Sequence, residues 1–124
     1  MGERFDMSRP IYAQIVERLK AKILAGIYPP GGHLDSVRDL AAAAGVNPNT
    51  MQRALAELER DGLVYSQRTA GRFVTEDKLM IEQAKLGLAR EQIQQFLQSM
   101  SRLGYEKADI VALLQKEGEL TCQS

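Results

Sequence analysis

Apolar residues recur along the chain at the three- and four-residue spacing that is typical of amphipathic helices. A first helix is predicted after Ser8-Arg9-Pro10, because proline is tolerated in a first turn and an apolar pattern follows. Its main apolar positions are Ile11, Ile15, Leu19 and Ile23. Gly26 and the proline- and glycine-rich stretch 28–32 predict its end. The pair His33-Leu34 is compatible with one brief extended segment.

Two short helices joined by a tight turn are predicted next. Ser36 is a candidate N-cap of the first helix, and Gly45 stands where a left-handed residue ends a helix. The second helix is predicted over 48–60, after Asn47, and Gly62 follows its end. The apolar positions of the two helices are Val37, Leu40, Ala41 and Ala44, then Met51, Ala54, Leu55 and Leu58. This pattern predicts a helix-turn-helix.

The hydrophobic period changes after Gly62. Two β-prone runs, 63–66 and 72–75, flank a small glycine-containing connection over 67–71, which predicts a two-stranded hairpin. A helix-turn-helix followed directly by a hairpin is a winged helix. We therefore expect a mainly α fold with a small β-hairpin, in which residues 1–75 form a winged helix-turn-helix domain.

Residues 76–124 are expected to form a two-helix tail for dimerisation. A helix over about 77–102 carries a 3,4-spaced apolar seam, broken only at Glu82, and a shorter helix is predicted over about 106–117. An apolar stripe of this length must be buried, either against a second copy or by folding back on the winged domain. The candidate dimerisation residues are Leu86, Ala89, Ile93, Phe96, Met100 and Leu103.

Composition limits the cellular compartment and the classes of partner that are expected. Lys and Arg total 16 and Asp and Glu total 16, so the net charge is zero and nucleic-acid binding must depend on where the charges lie. The single cysteine, Cys122, argues against an internal disulfide framework and favours a reduced, cytoplasmic setting. No apolar run approaches the roughly 18 residues of a membrane span, and no signal peptide begins the chain. A soluble cytoplasmic protein without membrane contact is expected.

Polar residues are concentrated where the 48–60 helix begins, which is more than one helix cap requires. Asn and Gln can bind adenine edges, Arg can bind guanine, and unpaired first-turn amides favour phosphate, so this tip suits the major groove of DNA. In the alternative, Asn47 and Pro48 only start the helix while Gln52 and Arg53 are ordinary solvated side chains. The candidate recognition residues are Asn47, Asn49, Thr50, Gln52 and Arg53.

The tip of the predicted hairpin is basic. Between Gln67 and Thr75 no acidic residue occurs, and arginine in such a wing is favoured by the negative potential of a neighbouring DNA groove. A wing used for protein assembly would be expected to expose aromatic residues, and RNA binding is a further alternative. The candidate wing residues are Arg68, Thr69, Gly71 and Arg72.

Catalysis is not supported by the residue types present. His33 is the only histidine, Cys122 lies near the end of the chain, and no glycine-rich phosphate loop occurs. We therefore expect neither an enzyme nor a metal or organic cofactor. Whether a small-molecule effector binds in a groove between two copies stays open. The tail shows no convergent polar groups that would predict such a site.

Four ordered blocks within residues 8–75 resemble GntR-type winged-helix transcription regulators. The chain departs from the family pattern at Asp35, where proline is usual, and at Leu55, where tyrosine is common. Ala70 and Arg72 replace the first glycine and the threonine of the wing motif. The blocks are Pro10-Ile11-Tyr12-x-Gln14-Ile15, the stretch from Gly32 to Ala41, Gly45-Val46-Asn47-x-Asn49-Thr50-Met51 continuing to Gly62, and Thr69-Ala70-Gly71-Arg72-Phe73-Val74.

This resemblance implies a DNA-binding transcription regulator, expected to be a repressor. Arg38 is expected to contact phosphate, unless it pairs with Asp35 or Asp39 on the same short helix. The tail is similar to that of the short-tailed YtrA-like branch, in which it joins two copies. A homodimer on a two-fold-related operator in double-stranded DNA is therefore expected.

Overall fold

The computed structural model describes residues 4–121 of the chain and the side chains of residues 4–118. Cys122 lies outside these residues. The element order confirms the predicted mainly helical, winged helix-turn-helix fold with further C-terminal helices. The elements of the described part are α1 (Ile11–Leu24), α2 (Val37–Ala44), α3 (Pro48–Arg60), β1 (Val64–Gln67), β2 (Gly71–Val74), α4 (Lys78–Arg102) and α5 (Lys107–Thr121).

The chain divides into two compact units, and the boundary between them lies inside α4, between Lys85 and Leu86. The first unit contains α1 to α3, the hairpin and the beginning of α4, and the second unit contains the remainder. The boundary predicted from the sequence, between residues 75 and 76, precedes α4.

The core of the first unit lies where α3 packs against α1 and α2. Burial of apolar surface in this core is the main favourable contribution to folding, and it fixes which face of α3 stays outside. Ile81, from the beginning of α4, is also buried. The other core residues include Ile15, Leu19, Ile23, Leu40, Ala41, Met51, Ala54, Leu55, Leu58, Leu63, Val64 and Val74.

Local signals position the two turn-joined helices. Ser36 Oγ accepts a hydrogen bond from the Asp39 N–H at 3.1 Å, which confirms Ser36 as the N-cap of α2. Gly45 ends α2 with a left-handed φ of 72°, a conformation that costs glycine little. Asn47 then caps α3, and Pro48 occupies its first turn.

The hairpin is antiparallel, with Val64 opposite Val74 and Gln67 opposite Gly71. The predicted 67–71 connection was too long, because both of its end residues belong to the strands. The turn needs only the three residues between them, since Thr69 takes a positive φ of 70° and the Ala70 N–H donates to the Gln67 carbonyl at 3.0 Å.

The brief extended segment predicted at His33-Leu34 is confirmed. His33 forms a bridge to Phe73 of β2, and the Leu34 N–H donates to the Arg72 carbonyl at 2.9 Å. The segment between α1 and α2 therefore pairs with the outer edge of the hairpin, which ties the wing to the helical core.

The second unit consists of the rest of α4 and α5. Ile110 of α5 is buried, whereas Ile93 and Phe96 of α4 are 54% and 40% exposed. The α5 helix continues to Thr121, beyond the predicted end at residue 117, because Gly118 keeps a helical backbone instead of taking a left-handed conformation. Among the described helices, none combines the length and apolar character that crossing a bilayer requires.

Candidate nucleic-acid interface

The α3 helix presents one polar face outward because its opposite face is fully buried. Met51, Ala54, Leu55 and Leu58 are at most 2% exposed. On the other face, Asn49, Gln52 and Arg53 are exposed, as their helical spacing predicted, and Thr50 is half-buried. The core thus holds the helix so that these polar side chains meet solvent or a ligand.

Part of the polar tip is accounted for by local structure. Asn47 Oδ1 accepts a hydrogen bond from the Asn49 N–H at 2.7 Å, so the carboxamide oxygen of Asn47 caps α3. Its amino group is not used by this bond and lies on an exposed side chain. The helix cap therefore explains Asn47 and Pro48, but it does not explain Asn49, Gln52 or Arg53.

An open groove of about 590 Å³ lies between the beginnings of α1 and α3. The Cζ atom of Arg53 lies 3.7 Å from the centre of the Tyr12 ring, which is a cation–π contact. Tyr12 belongs to the first block of the family motif, but nothing in its spacing indicated that it meets Arg53. The groove is lined by Pro10, Ile11, Tyr12, Asn49, Thr50 and Arg53.

Arg38 is exposed in the first turn of α2. Within the part of the chain that the structure describes, it forms no ion pair with Asp35 or Asp39. The structure therefore gives no support to the alternative in which Arg38 pairs with Asp35 or Asp39.

The two arginines of the wing differ in their surroundings. Arg68 lies in the turn and is exposed, whereas the side chain of Arg72 is only 21% exposed. Arg72 Nε donates to Glu59 Oε1 at 2.7 Å, and Ser66 Oγ donates to the same oxygen at 2.5 Å. This Glu59–Ser66–Arg72 cluster joins the last turn of α3 to both strands of the wing.

The electrostatics of Glu59 follow from these two donors. The hydrogen bond from Ser66 is the largest cause that lowers the pKa of the Glu59 carboxyl below its ordinary value. Partial burial opposes this effect, and the hydrogen bond and positive charge of Arg72 lower the pKa further. Glu59 is thus held in its charged form, and sequence spacing alone did not single it out.

His33 supports the turn of the wing from the side. Its Nε2 atom lies 2.9 Å from the Ala70 carbonyl oxygen, and its ring meets Phe73 edge-on at 4.9 Å between centroids. A Cβ atom added at Gly71 would lie 2.9 Å from His33 Nε2, so glycine is required there by close approach and by its φ of 99°. Thr69 and Gly71 are both exposed at this tip.

Among the described residues, no group of three or more His, Cys, Asp or Glu side chains is arranged to hold an ion. The polar features described above converge instead on two exposed surfaces, the beginning of α3 and the turn of the wing.

Comparison with known protein sequences gives two results of different coverage. The sequence pattern of the family described as "Bacterial regulatory proteins, gntR family" matches residues 11–74. The HTH-type transcriptional repressor YtrA of Bacillus subtilis is 38% identical over 100 residues, which cover 80% of this chain and 77% of YtrA. These relatives are transcriptional regulators and not enzymes.

Solved structures agree with the sequence comparisons. A GntR family transcriptional regulator from Listeria monocytogenes has a TM-score of 0.85 and 45% identity, covering 90% of this chain and 98% of that one. The DNA-binding domain of AraR in complex with operator ORR3 has a TM-score of 0.53 and 31% identity, covering 60% of this chain and 88% of that one. The similarity to AraR therefore concerns a domain that was solved on DNA.

Proposed function

Because the chain belongs to the gntR family of bacterial regulatory proteins, which are DNA-binding transcriptional regulators, we propose that it represses transcription as a homodimer on a two-fold-related operator. The observation that carries the proposal is the exposed polar face of α3 opposite a fully buried one. Such a helix can enter a major groove without disturbing its own core. The protein then acts on operator DNA in the cytoplasm.

The relatives support repression as the direction of regulation and operator DNA as its target. YtrA is named a transcriptional repressor, and the AraR domain is bound to an operator. A repressor needs only to occupy its site and exclude other proteins, and no enzymatic group is required for that.

Base recognition is assigned to the beginning of α3. Asn49 and Gln52 carry carboxamides that pair with a base edge at two points, and Thr50 can donate or accept one hydrogen bond. Asn47 contributes through its amino group, since its oxygen caps the helix. These residues lie within two helical turns at the N-terminal end of α3, which is the part of a helix-turn-helix recognition helix that contacts base edges.

Backbone contacts are assigned to Arg38 and to the wing. Arg68, Thr69 and Gly71 form the exposed tip of the hairpin, where a cation and a backbone N–H can meet phosphate or a minor groove. Arg72 uses its Nε for Glu59, which leaves the terminal N–H groups of its guanidinium for DNA.

Dimerisation is assigned to the apolar seam of α4. Four of its large side chains are 40–72% exposed and Met100 is half-buried, which is unfavourable for a helix that stays alone in water. A second copy of the chain covers such a seam by knobs-into-holes packing, and a two-fold dimer reads a two-fold operator. The seam residues are Leu86, Ala89, Ile93, Phe96, Met100 and Leu103.

The proposal is tested by selecting duplexes from a random-sequence pool with the full-length protein and then measuring affinity. A selected duplex that contains two related half-sites and binds much more tightly than a random duplex is expected. Single-stranded RNA of the same sequence serves as the control. Equal affinity for the selected duplex, the random duplex and the RNA would contradict sequence-specific DNA recognition.

A further inference from the structure

Tyr12 and Arg53 form a stacked pair between α1 and the exposed face of α3. The 3.7 Å separation of Arg53 Cζ from the ring centre lies well inside the range of cation–π attraction. Tyr12 is half-buried in the first turn of α1, whereas Arg53 is exposed. The ring is therefore the fixed partner, and the arginine is the side chain whose freedom the contact restricts.

The stack draws the guanidinium toward one side of α3. With about 100° per residue, Thr50 and Arg53 lie on one side of the exposed face and Gln52 lies on the other. Thr50 and Arg53 line the same groove as the first turn of α1, and Gln52 does not. The guanidinium of Arg53 thus lies away from Gln52 and toward α1, whereas Asn49 and Thr50, which are also assigned to base recognition, line the groove beside it.

When a helix lies in the major groove, the side chains that point into the groove contact base edges. The side chains on the two flanks of the helix contact the sugar–phosphate strands. The groove is about 12 Å wide, which is little more than a helix with its side chains. Because the ring of Tyr12 covers one face of the Arg53 guanidinium, the N–H groups at its edge remain for two phosphate oxygens. An arginine held in place also loses less side-chain freedom when it binds.

We propose that Tyr12 is a positioning residue for DNA binding, which holds Arg53 so that its guanidinium contacts a backbone phosphate. This inference rests on the proposed operator binding. It also changes the role of Arg53, for which the sequence pattern predicted a contact to guanine.

The test compares the affinity of full-length variants for two probes by fluorescence anisotropy: a duplex selected with the wild-type protein and a random duplex of equal length. Tyr12→Leu is expected to weaken binding to both probes by about two- to fivefold. Tyr12→Phe keeps the aromatic face and is expected to bind like the wild type. Arg53→Ala is expected to weaken binding to both probes by equal factors. The slope of log affinity against log salt should become less steep by about one, because one phosphate contact is lost.

The double variant decides whether the two residues act together. In the Arg53→Ala background, Tyr12→Leu is expected to have no further effect on either probe. Additive losses, or wild-type affinity of Tyr12→Leu, would overturn the positioning role. A loss confined to the selected duplex would mean that Arg53 contacts a base, which also overturns the proposal. Arg53 is exposed, so Arg53→Ala remains informative if Tyr12→Leu does not fold.

Nuclear magnetic resonance of the free protein examines the stack without DNA. The side-chain protons of Arg53 are expected to shift upfield, through the ring current, in the wild type and in Tyr12→Phe but not in Tyr12→Leu. Unshifted protons in the wild type would overturn the inference. Failure of the proposed function gives a different result, in which the ring-current shift is present but selected and random duplexes bind alike.

Discussion

At the residue scale, exposed polar side chains of the proposed interface divide into those that face bases and those that face the DNA backbone. Gln52 projects from the exposed face of α3, and Arg38 lies in the first turn of α2. A carboxamide paired with a base edge discriminates between sequences, whereas a guanidinium on phosphate favours all sequences equally. Loss of the two side chains is therefore expected to have different consequences.

Gln52→Ala is expected to weaken binding to the selected duplex by about 1–3 kcal/mol and to relax base preference at one position of each half-site. Affinity for random DNA should stay near that of the wild type, because no phosphate contact is lost. Anisotropy titrations with both duplexes measure the difference. Gln83→Ala, which removes an exposed glutamine from α4, is the matched control. An equal loss on both duplexes would contradict base recognition by Gln52.

Arg38→Ala is expected to reduce affinity for selected and random duplexes by the same factor. The slope of log affinity against log salt should become less steep by about one, because one fewer counterion is released. Titrations at several salt concentrations measure this slope. Lys20→Ala removes a cation from α1 and should leave it unchanged. A loss restricted to the selected duplex would show that Arg38 contacts a base.

At the scale of elements, the Glu59–Ser66–Arg72 cluster connects α3 with both strands of the wing. Glu59 Oε1 accepts one hydrogen bond from each strand, at 2.5 Å from Ser66 and 2.7 Å from Arg72. The orientation of the hairpin is therefore coupled to the helix that is proposed to enter the groove. A change at Glu59 should affect both elements together.

Glu59→Gln is expected to lower the free energy of unfolding at neutral pH by about 1 kcal/mol, because it removes the charge from two hydrogen bonds. The pKa of Glu59 is lowered in the folded state, so its stabilising contribution is present above the unfolded-state pKa. That contribution is lost as the pH falls through the lower, folded-state value. Urea unfolding at neutral and acidic pH should show a difference between wild type and variant that shrinks with acid. A difference that grows with acid would contradict this assignment.

Hydrophobic spacing predicts the helices well because each one buries a single face. The buried positions of α3 and its exposed polar face follow from the period alone. The contacts between Tyr12 and Arg53, and between Glu59 and Arg72, do not, because they join residues from different elements whose packing angle no local pattern encodes. The observed ends of the hairpin differ from the predicted ones for a local reason, since Thr69 takes a conformation that threonine rarely adopts.

At the scale of the whole molecule, a net charge of zero means that no general excess of positive charge draws the protein to DNA. In our proposal, affinity comes instead from the few cations and carboxamides described above, and a second copy of the chain doubles their number. The apolar seam of α4 is the surface that supplies this second copy in our proposal. Occupation of two half-sites by one dimer then raises the affinity far above that of one domain.

Ile93→Glu combined with Phe96→Glu is expected to give monomers, because two charges on each copy cannot be buried against their symmetry mates. Sedimentation velocity measures the change, and circular dichroism should show that helix content at high concentration is retained. Gln95→Glu adds a charge at an exposed neighbouring position and should leave the dimer intact. An unchanged dimer for the double variant would show that the seam is not the dimer interface.

The helix cap of α3 also influences which bases of the operator the Asn47 side chain can contact. Since the oxygen of Asn47 already accepts the Asn49 N–H and keeps only one lone pair, the two hydrogens of its amino group are the main hydrogen-bonding groups that this side chain offers DNA. Purine N7, guanine O6 and thymine O4 can accept such a hydrogen, whereas the exocyclic amine of cytosine presents another donor. We therefore expect cytosine to be disfavoured on the strand that Asn47 faces. A hydrogen bond within the protein, from the Asn49 N–H to the Asn47 oxygen, would then influence which base the operator carries at that position.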